Sequence, residues 1–387
     1  MTNRIYLDNA ATTPPCSESV AAMAPFLGGL HWGNASSMHQ EGQRAKRSLD
    51  SAREIVATSL SAEFSEIVFT SGGTEADNLA VIGAALAAGP ERRRVVVSAI
   101  EHEAVLRSAD FLHSIGFEII LCPVDSSGIV QVEALRNVVD SRTAVVSIMH
   151  ANNEVGTVQN ITHLATVAHA CGAVFHSDAV QSFGSLPINV HQMGVDLLSV
   201  SSHKIYGPKG AGALYIRTDT PIVPTMHGGS QERERRGGTE NTAAIAGFAA
   251  AAQIAESRRV EEYSRLTRLR DKFLNDLVAE IDDVTINGHR KLRLPNNIHF
   301  SVKGLNAEAF LVALDLAGIS ASSGSACSSG SREPSHVLKA MSNSEVEPGA
   351  PIRFSLGRST THFELDCVLR EVSRIVSHQR PSQKVKQ

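Results

Sequence analysis

A lysine at the end of an apolar run provides the first candidate for chemistry. In SVSSHKIYGPKGAGALYIR (199–217), an apolar run ends in Ser201-Ser202-His203-Lys204, and a Gly/Pro turn precedes the next apolar run. A lysine held in such a turn can be partly removed from water, which lowers the pKa of its amine and makes it nucleophilic. Lys204 could therefore form a Schiff base with a carbonyl cofactor. The alternative is a solvated surface lysine before a loop.

An aspartate occupies a similar position after another apolar run. Asp178 ends the run AVFHSD (173–178), and Gln181 follows three residues later. A buried aspartate is costly unless it meets a cation. The pyridinium nitrogen of pyridoxal 5'-phosphate (PLP) is such a cation, and an acidic partner keeps that ring a strong electron sink. A helix N-cap is the alternative role for Asp178.

Two more apolar runs end in residues that could contact a flat, polar ligand. His102 follows RVVVSA (94–99) and could stack on a ring or carry protons, although a capping or core histidine is the alternative. Asn152 and Asn153 follow TAVVSIM (143–149), where their amides could hydrogen-bond a phenolic oxygen or a carboxylate. Ordinary turn formation also accounts for the two asparagines.

A Gly-Gly turn predicts a phosphate site. FTSGGTEADNLA (69–80) contains a short apolar run, the turn, and Thr74 at the start of a predicted helix. Backbone N–H groups and the helix dipole at such a start bind phosphate. Ser201 and His203 could complete this site.

These residues must be positioned by a particular arrangement of strands and helices. Apolar runs alternate with helix-length segments from about residue 66 to residue 217, which predicts a mostly parallel sheet with helices on both faces. The predicted strands are 66–70, 94–99, 117–124, 143–149, 173–178, 197–201 and 212–217, and helix-length segments include 75–88, 102–115 and 162–171. Ligands of such α/β folds bind at the carboxyl ends of the strands, where the polar residues above lie. A long helical stretch after Glu240 then leads into a second domain of mixed strands and helices.

Composition excludes several classes of protein. The chain has 387 residues with 36 basic and 40 acidic side chains, a near balance that argues against a protein that coats nucleic acid or an anionic membrane. No apolar run reaches the length of about 20 residues that spans a bilayer. The five cysteines contain no C-x-x-C pair, so we expect no disulfide framework, no zinc ribbon and no metal site, and a reducing cytoplasm. They are Cys16, Cys122, Cys171, Cys327 and Cys367.

Taken together, these motifs resemble the NifS/IscS-type cysteine desulfurases, fold-type I PLP enzymes of the class V aminotransferase family. The resemblance covers nearly the whole chain and keeps the order of the motifs. Its motifs are YLDNAATTP, WGNASSMH, FTSGGTEADNLA, EHEAVL, SIMHANNEVGTVQ, FHSDAVQSFG, SSHKIYGPKG, HGGSQERERRGGTEN, SSGSACSSGSREPSHVL and IRFSLGR.

The resemblance implies a role for each candidate at the cofactor ring. Lys204 would form the Schiff base and shuttle protons, and His102 would stack on the ring. Asp178 would pair with the pyridine nitrogen, and Gln181 would approach the phenolic oxygen. Asn153 would contact the cofactor or the substrate carboxylate.

The resemblance also implies a phosphate site, a dimer and a nucleophile. The phosphate would be held by Gly73, Thr74, Ser201, Ser202 and His203. Thr239 would reach the phosphate of a partner subunit, which implies a homodimer. Arg353 would clamp the substrate carboxylate, a bidentate task suited to guanidinium. Cys327 would carry the persulfide, in a loop (about 320–333) of small residues.

The expected activity converts L-cysteine to L-alanine and passes sulfur through the enzyme to an acceptor protein. That acceptor could be an iron–sulfur scaffold or a thio-modification enzyme acting on tRNA or DNA, without direct nucleic-acid contact by this chain. We expect a large PLP-binding domain over 14–257 and a small domain formed by 1–13 and 258–387. The alternatives are an aminotransferase or selenocysteine lyase of the same fold, and a non-catalytic sulfur carrier or metal-cluster scaffold. Cys122, Cys171 and Cys367 are predicted to be buried structural residues, and Cys16 to be partly exposed.

Overall fold

The computed structural model describes residues 4–324, 335–342 and 349–380. Cys327 lies outside these residues. The strands are β1 (Ile5–Tyr6), β2 (Ile67–Thr70), β3 (Arg94–Ser98), β4 (Glu118–Cys122), β5 (Thr143–Ser147), β6 (Val174–Asp178), β7 (Leu197–Ser201), β8 (Gly212–Ile216), β9 (Val284–Ile286), β10 (Asn297–Val302), β11 (Ile319–Ser320) and β12 (Ala350–Ser355). The helices are α1 (Ser17–Leu27), α2 (Gln40–Leu60), α3 (Gly73–Ala87), α4 (Glu103–Ser114), α5 (Val132–Val138), α6 (Ile161–Ala170), α7 (Val190–Met193), α8 (Thr242–Glu280), α9 (Ala307–Leu316), α10 (His336–Met341) and α11 (His362–Gln379).

A large, mostly parallel sheet organises the first two thirds of the chain. Among the described residues it has seven strands in the order β2-β8-β7-β6-β5-β3-β4. Of these seven strands, β8 alone runs opposite to the other six. The predicted α/β class and all seven predicted strands are confirmed, with ends that differ by a few residues at most.

Helices cover both faces of this sheet because its strands are apolar on both sides. On one face, Phe69, Val146 and Phe175 pack against α2, α6 and the first half of α8. On the other face, Val68 and Val145 pack against α3 and α4. A strand that is buried on both faces has no polar side to show, which explains the uninterrupted apolar runs.

The long helix α8 connects this sheet to a second hydrophobic core. Its 39 residues correspond to about 58 Å of helix. The first half contributes Phe248 to the core of the large sheet, and the second half contributes Phe273 and Leu277 to the second core. The predicted connecting helix therefore forms, and it spans two separately packed regions.

The second core lies between α8, α9, α11 and an antiparallel sheet of order β12-β10-β9. Leu7 joins this core, because β1 pairs in parallel with β11 and so brings the beginning of the chain to its C-terminal part. The domain limits at residues 13 and 257 stay predictions.

The cysteines differ in part from the prediction. Cys122 is buried, which raises the pKa of its thiol to about 12. Cys16 is partly exposed, as expected. Cys171 and Cys367 were predicted to be buried, and this is wrong: both are partly exposed. Cys171 follows the last turn of α6, and Cys367 lies in α11, where Arg370 contacts its sulfur at 3.1 Å. Their local sequences are helical, but helix positions near the solvent leave part of each side chain uncovered.

Candidate active site

The carboxyl ends of the parallel strands meet at one edge of the large sheet. Thr70 of β2 and Ser201 of β7 both lie in register with Gly212 of β8, which places the start of α3 beside the lysine motif. The next two strands of the sheet bring Asp178 and the loop after Ser147 to the same edge. The sequence prediction that these strand ends converge is therefore confirmed.

The first turn of α3 lies against β7 and the turn after β6. A Cβ atom built on Gly73 would come within 2.7 Å of Val180 Cγ2 and within 3.7 Å of Ser201 Cβ. Thr74 is exposed at the second position of the helix. Because α3 is 15 residues long, its first N–H groups and its dipole create positive potential at this point.

Two buried hydroxyl groups lie at the end of β7, the strand beside which this helix begins. Ser201 and Ser202 are 1% and 0% exposed, and neither Oγ atom has a hydrogen-bond partner among the described residues. Burying an unsatisfied hydroxyl is costly unless a ligand or water binds it. These two side chains therefore indicate a polar ligand.

Lys204 points to the N-terminal segment of the chain. Its Nζ atom donates to the carbonyl oxygens of Ala10 and Ala11, at 2.5 Å and 2.7 Å. Gln181 Nε2 donates to the same Ala10 oxygen at 3.0 Å. Lys204 and Gln181, which are 23 residues apart, thus meet at one backbone carbonyl.

Asp178 is buried at the end of β6. Burial raises the pKa of its carboxyl group, while the charges of His102 and Lys204 and the N–H of Val180 act in the opposite direction. The Val180 N–H donates to Oδ1 at 2.8 Å, so part of the N-cap alternative is realised. A cation in contact with this carboxyl group would stabilise its ionised form.

The histidine and asparagine after the next strands have different local roles. His102 is the N-cap of α4, and its Nδ1 accepts from the N–H of Ala104 at 3.1 Å. Asn152 is fully buried, and its Oδ1 accepts from the N–H groups of Glu154 and Val155. Turn formation therefore accounts for Asn152, whereas the half-buried Asn153 is left as the candidate for ligand contact.

Arg353 lies on β12 and reaches the same region from the second core. Its Nη1 donates to the backbone oxygen of Asn153 at 2.9 Å, and its Nη2 pairs with Asp8 Oδ1 at 2.8 Å. The side chain is 1% exposed, and its Nε has no hydrogen-bond partner among the described residues. A buried guanidinium with an unused donor is suited to an anionic ligand.

His203 is held between the lysine turn and the N-terminal segment. Its Nδ1 lies 3.2 Å from Thr12 Oγ1, and its backbone oxygen accepts from Thr13. Burial, together with the charges of Lys204 and Lys209, lowers the pKa of the imidazole to about 4. His203 is therefore neutral at pH 7.

Thr239 is exposed and lies in the segment that follows β8, away from the contacts described above. The same segment is tied to the start of α3, because Arg236 Nε pairs with Glu75 Oε1 at 2.7 Å. Glu75 also accepts from the N–H of Ser71, in the Gly-Gly turn. The segment is thus anchored on its own chain while Thr239 stays open to solvent.

Comparison with known proteins finds similarity along nearly the whole chain. The model of the family "Aminotransferase class-V" matches residues 5–368. A cysteine desulfurase IscS of Dictyoglomus turgidum is 46% identical over 387 residues, which cover 100% of this chain and 98% of that protein. The chain belongs to the cysteine desulfurases of the class-V aminotransferase family.

Solved structures of the family share the fold. A NifS-like protein superposes with a TM-score of 0.90 at 36% identity, over 97% of this chain and 100% of its own. SspA, solved in complex with cysteine, superposes with a TM-score of 0.79 at 35% identity, over 91% of this chain and 98% of its own. The sequence-based recognition of the family is confirmed. In the described part of the chain, no helix combines the length and the apolar character that crossing a membrane requires.

PLP is the cofactor of these cysteine desulfurases, and the residues present here fit it. The unpartnered hydroxyls of Ser201 and Ser202 and the start of α3 fit a phosphate group. The buried carboxyl group of Asp178 fits a protonated ring nitrogen, and Lys204 supplies the amine.

The N-terminal segment of this cysteine desulfurase makes contacts that were not predicted from the sequence. Asp8, Ala10, Ala11 and Thr12 contact Arg353, Lys204 and His203 across more than 190 positions of sequence. The segment was recognised as a motif, YLDNAATTP, but no residue in it was assigned a role. The signal that was available is Asp8, a charged residue directly after the apolar residues Ile5-Tyr6-Leu7.

Proposed function

We propose that this cysteine desulfurase uses Lys204, Asp178, Arg353 and Cys327 to move sulfur from L-cysteine to the thiol of Cys327. The observation that carries the proposal is the shared N-terminal segment. The carbonyl oxygens of Ala10 and Ala11 accept hydrogen bonds from Lys204 Nζ. The carboxylate of Asp8, two residues before Ala10, pairs with Arg353. A proton-transfer amine and a carboxylate-binding guanidinium are thus held by one short stretch of backbone.

The cofactor-binding roles follow from the groups that lie at the carboxyl edge of the sheet. Gly73, Thr74, Ser201, Ser202 and His203 would hold the phosphate through N–H and side-chain donors, with Thr239 contributed to a partner's site. Asp178 would keep the ring nitrogen protonated, because a buried carboxyl group is most stable as an anion beside a cation. When bound, PLP stores the electron pair released at the substrate's α-carbon.

The residues around the ring would orient it and move protons. Lys204 would take the α-proton on Nζ and return it later, as a general base and then a general acid. Gln181 would approach the phenolic oxygen, and it already shares the Ala10 carbonyl with Lys204. His102 would stack on the ring, with its Nδ1 fixed by the N–H of Ala104.

Arg353 would bind the substrate carboxylate. Its guanidinium is buried and held by Asn153 and Asp8, so it is oriented before the substrate arrives. Preorganised donors lose little entropy on binding. The structure of SspA in complex with cysteine, at 35% identity, supports cysteine as the substrate here. Asn153 would add a contact to the cofactor or to the substrate carboxylate.

Cys327 would be the nucleophile, although it lies outside the described residues. Its thiolate attacks the substrate sulfur, a new S–S bond forms, and the C–S bond breaks. The electron pair stays on the β-carbon, which is protonated as L-alanine leaves. Cys327 retains the sulfur as a persulfide for an acceptor protein, either an iron–sulfur scaffold or a thio-modification enzyme. We place this activity in the cytoplasm, where unpaired thiols persist.

A Cys327→Ser variant tests the proposal. The variant should bind PLP with unchanged visible absorbance, because the nucleophile is not part of the cofactor site. It should form no L-alanine from L-cysteine, since a hydroxyl group does not extract sulfur. The matched control is Cys16→Ser, which changes another partly exposed cysteine and should leave alanine formation unchanged. Undiminished alanine formation by Cys327→Ser would overturn the assignment of Cys327 as the nucleophile.

A further inference from the structure

We propose that Glu154 is a positioning residue for sulfur transfer, because its carboxyl group is hydrogen-bonded to Ser335 and lies close to Gly324, two points of the chain that flank Cys327 in sequence. The proposal rests on the proposed role of Cys327. Glu154 belongs to the loop after β5, in the motif HANNEVG, and no role was assigned to it above.

Ser335 makes the first of the two contacts. Its Oγ donates to Glu154 Oε2 at 2.6 Å. Ser335 is also the N-cap of α10, since the same Oγ accepts from the N–H of Leu338 at 3.2 Å. The helix itself packs against the loops after β3 and β5, because Val337 shares a buried cluster with Ile100 and Met149. The position of Ser335 is therefore fixed by its hydrogen bonds to Glu154 and Leu338.

The chain at Gly324 approaches Glu154 from the other side of the segment. A Cβ atom at this position would lie 2.7 Å from the same Glu154 Oε2, and the backbone φ of +135° favours glycine. Ser322, two residues earlier, forms an antiparallel bridge with Arg353, so this end is tied to the strand of the proposed substrate-binding arginine. Two residues of chain lie between Gly324 and Cys327.

Glu154 is itself firmly held. The residue is fully buried, its N–H donates to Asn152 Oδ1 at 2.9 Å, and its backbone oxygen accepts from Asn297 at 2.8 Å. The backbone oxygen of its neighbour Asn153 accepts a hydrogen bond from Arg353. One rigid loop thus connects the proposed carboxylate-binding site to both ends of the segment that carries Cys327. A structural glutamate would only stabilise the fold, whereas a positioning residue would act on the sulfur-transfer step.

The test compares Glu154→Ala and Ser335→Ala in the PLP-loaded enzyme. We expect alanine formation to fall about tenfold to a hundredfold in each, because a small displacement of a reacting group has an effect of this size. The apparent KM for L-cysteine and the absorbance change on adding L-cysteine should stay near the wild-type values. Glu308→Gln, which changes an exposed glutamate in α9, is the control and should match the wild type.

Two further measurements separate positioning from mere stabilisation. The rate at which iodoacetamide alkylates Cys327, read by peptide mass spectrometry without substrate, should change in both variants. The double variant should be no slower in alanine formation than Glu154→Ala alone, since the two side chains act through one contact. If Ser335→Ala acted only by removing the N-cap of α10, it would instead reduce the rate of alanine formation by the same factor in the wild type and in Glu154→Ala.

Three outcomes would overturn the proposal: unchanged turnover and alkylation in both variants, a raised KM with unchanged kcat, or additive effects in the double variant. If Glu154→Ala does not fold, Ser335→Ala alone still tests for the first two of these outcomes. Cys327→Ser distinguishes failure of the proposed function from failure of the proposed role of Glu154. Activity in that variant contradicts the proposed function, whereas normal activity of Glu154→Ala beside an inactive Cys327→Ser contradicts only the role of Glu154.

Discussion

Burial controls the ionisation of the acidic residues beneath the site. Glu101 directly precedes His102 and is fully buried, and burial raises the pKa of its carboxyl group to about 8. Its Oε1 accepts from Ser98 Oγ at 2.5 Å and from the N–H of Met149 at 2.8 Å. Its Oε2 has no partner among the described residues. A neutral carboxyl group therefore suits this position, although Asp178 nearby carries the proposed functional charge.

Replacing Glu101 by glutamine should alter how stability depends on pH. The folded-state pKa is above the unfolded value, so the stability from Glu101 is complete below about pH 4.5 and is lost as pH rises toward 8. Between pH 5 and 7 the Glu101→Gln protein should gain roughly 2–3 kcal/mol of unfolding free energy relative to the wild type.

Urea unfolding of both proteins at several pH values measures this difference. Glutamine keeps the acceptor that Ser98 and Met149 use, so the variant should fold. Glu308→Gln, at an exposed position, should follow the wild type at every pH. A constant difference between Glu101→Gln and the wild type would show that Glu101 does not titrate on unfolding in this range.

At the scale of elements, a buried ion pair attaches α2 to the segment after β8. Arg53 of α2 donates to both carboxylate oxygens of Glu232 at 2.7 Å and 2.6 Å, and both side chains are almost fully buried. Glu232 also accepts from the N–H of Phe69 in β2. The pair therefore joins a helix, a strand and the segment that carries Thr239.

An Arg53→Met substitution should destabilise the protein by about 3–5 kcal/mol, because it leaves the Glu232 carboxylate buried without its cation. Chemical denaturation measures the loss. Lys46→Ala is the matched control in the same helix: Lys46 pairs with Asp50 on the surface, and its loss should cost about 0.5 kcal/mol or less. Equal effects of the two substitutions would contradict the importance of the buried pair.

At the scale of the whole molecule, one exposed segment carries four large apolar side chains. Leu27, Leu30, Trp32 and Met38 are 71%, 72%, 69% and 91% exposed. Thr239, whose proposed role is at a partner's phosphate, is exposed as well. Clustered apolar exposure is typical of a protein–protein interface, so we infer that a second copy covers this segment in the proposed homodimer.

A Trp32→Asp substitution should weaken that dimer. Losing a large aromatic contact and burying an unpaired carboxylate should cost at least about 3 kcal/mol, or about a hundredfold in Kd. Sedimentation equilibrium over a range of protein concentrations measures the change. Phe363→Asp, at a similarly exposed position in α11, should leave the dimer intact. A monomeric wild type, or an unaffected Trp32→Asp dimer, would contradict the inference.

The sequence by itself determined the strand order along the chain, the family and the candidate residues at the strand ends. These features are local: an apolar run shows that a strand is buried, and the polar residues that follow it must lie at the sheet edge. Lys204, Asp178 and His102 were found in this way, and the resemblance added Cys327.

The tertiary structure alone decided which distant groups complete the site. Asp8 pairs with Arg353 across 345 positions, and Glu154 contacts Ser335 across 181. Residue patterns record local burial, but a contact between distant loops depends on how whole elements pack, which no local spacing specifies. The exposure of Cys171 has the same origin, because a helical sequence does not show which of its faces a neighbouring element covers.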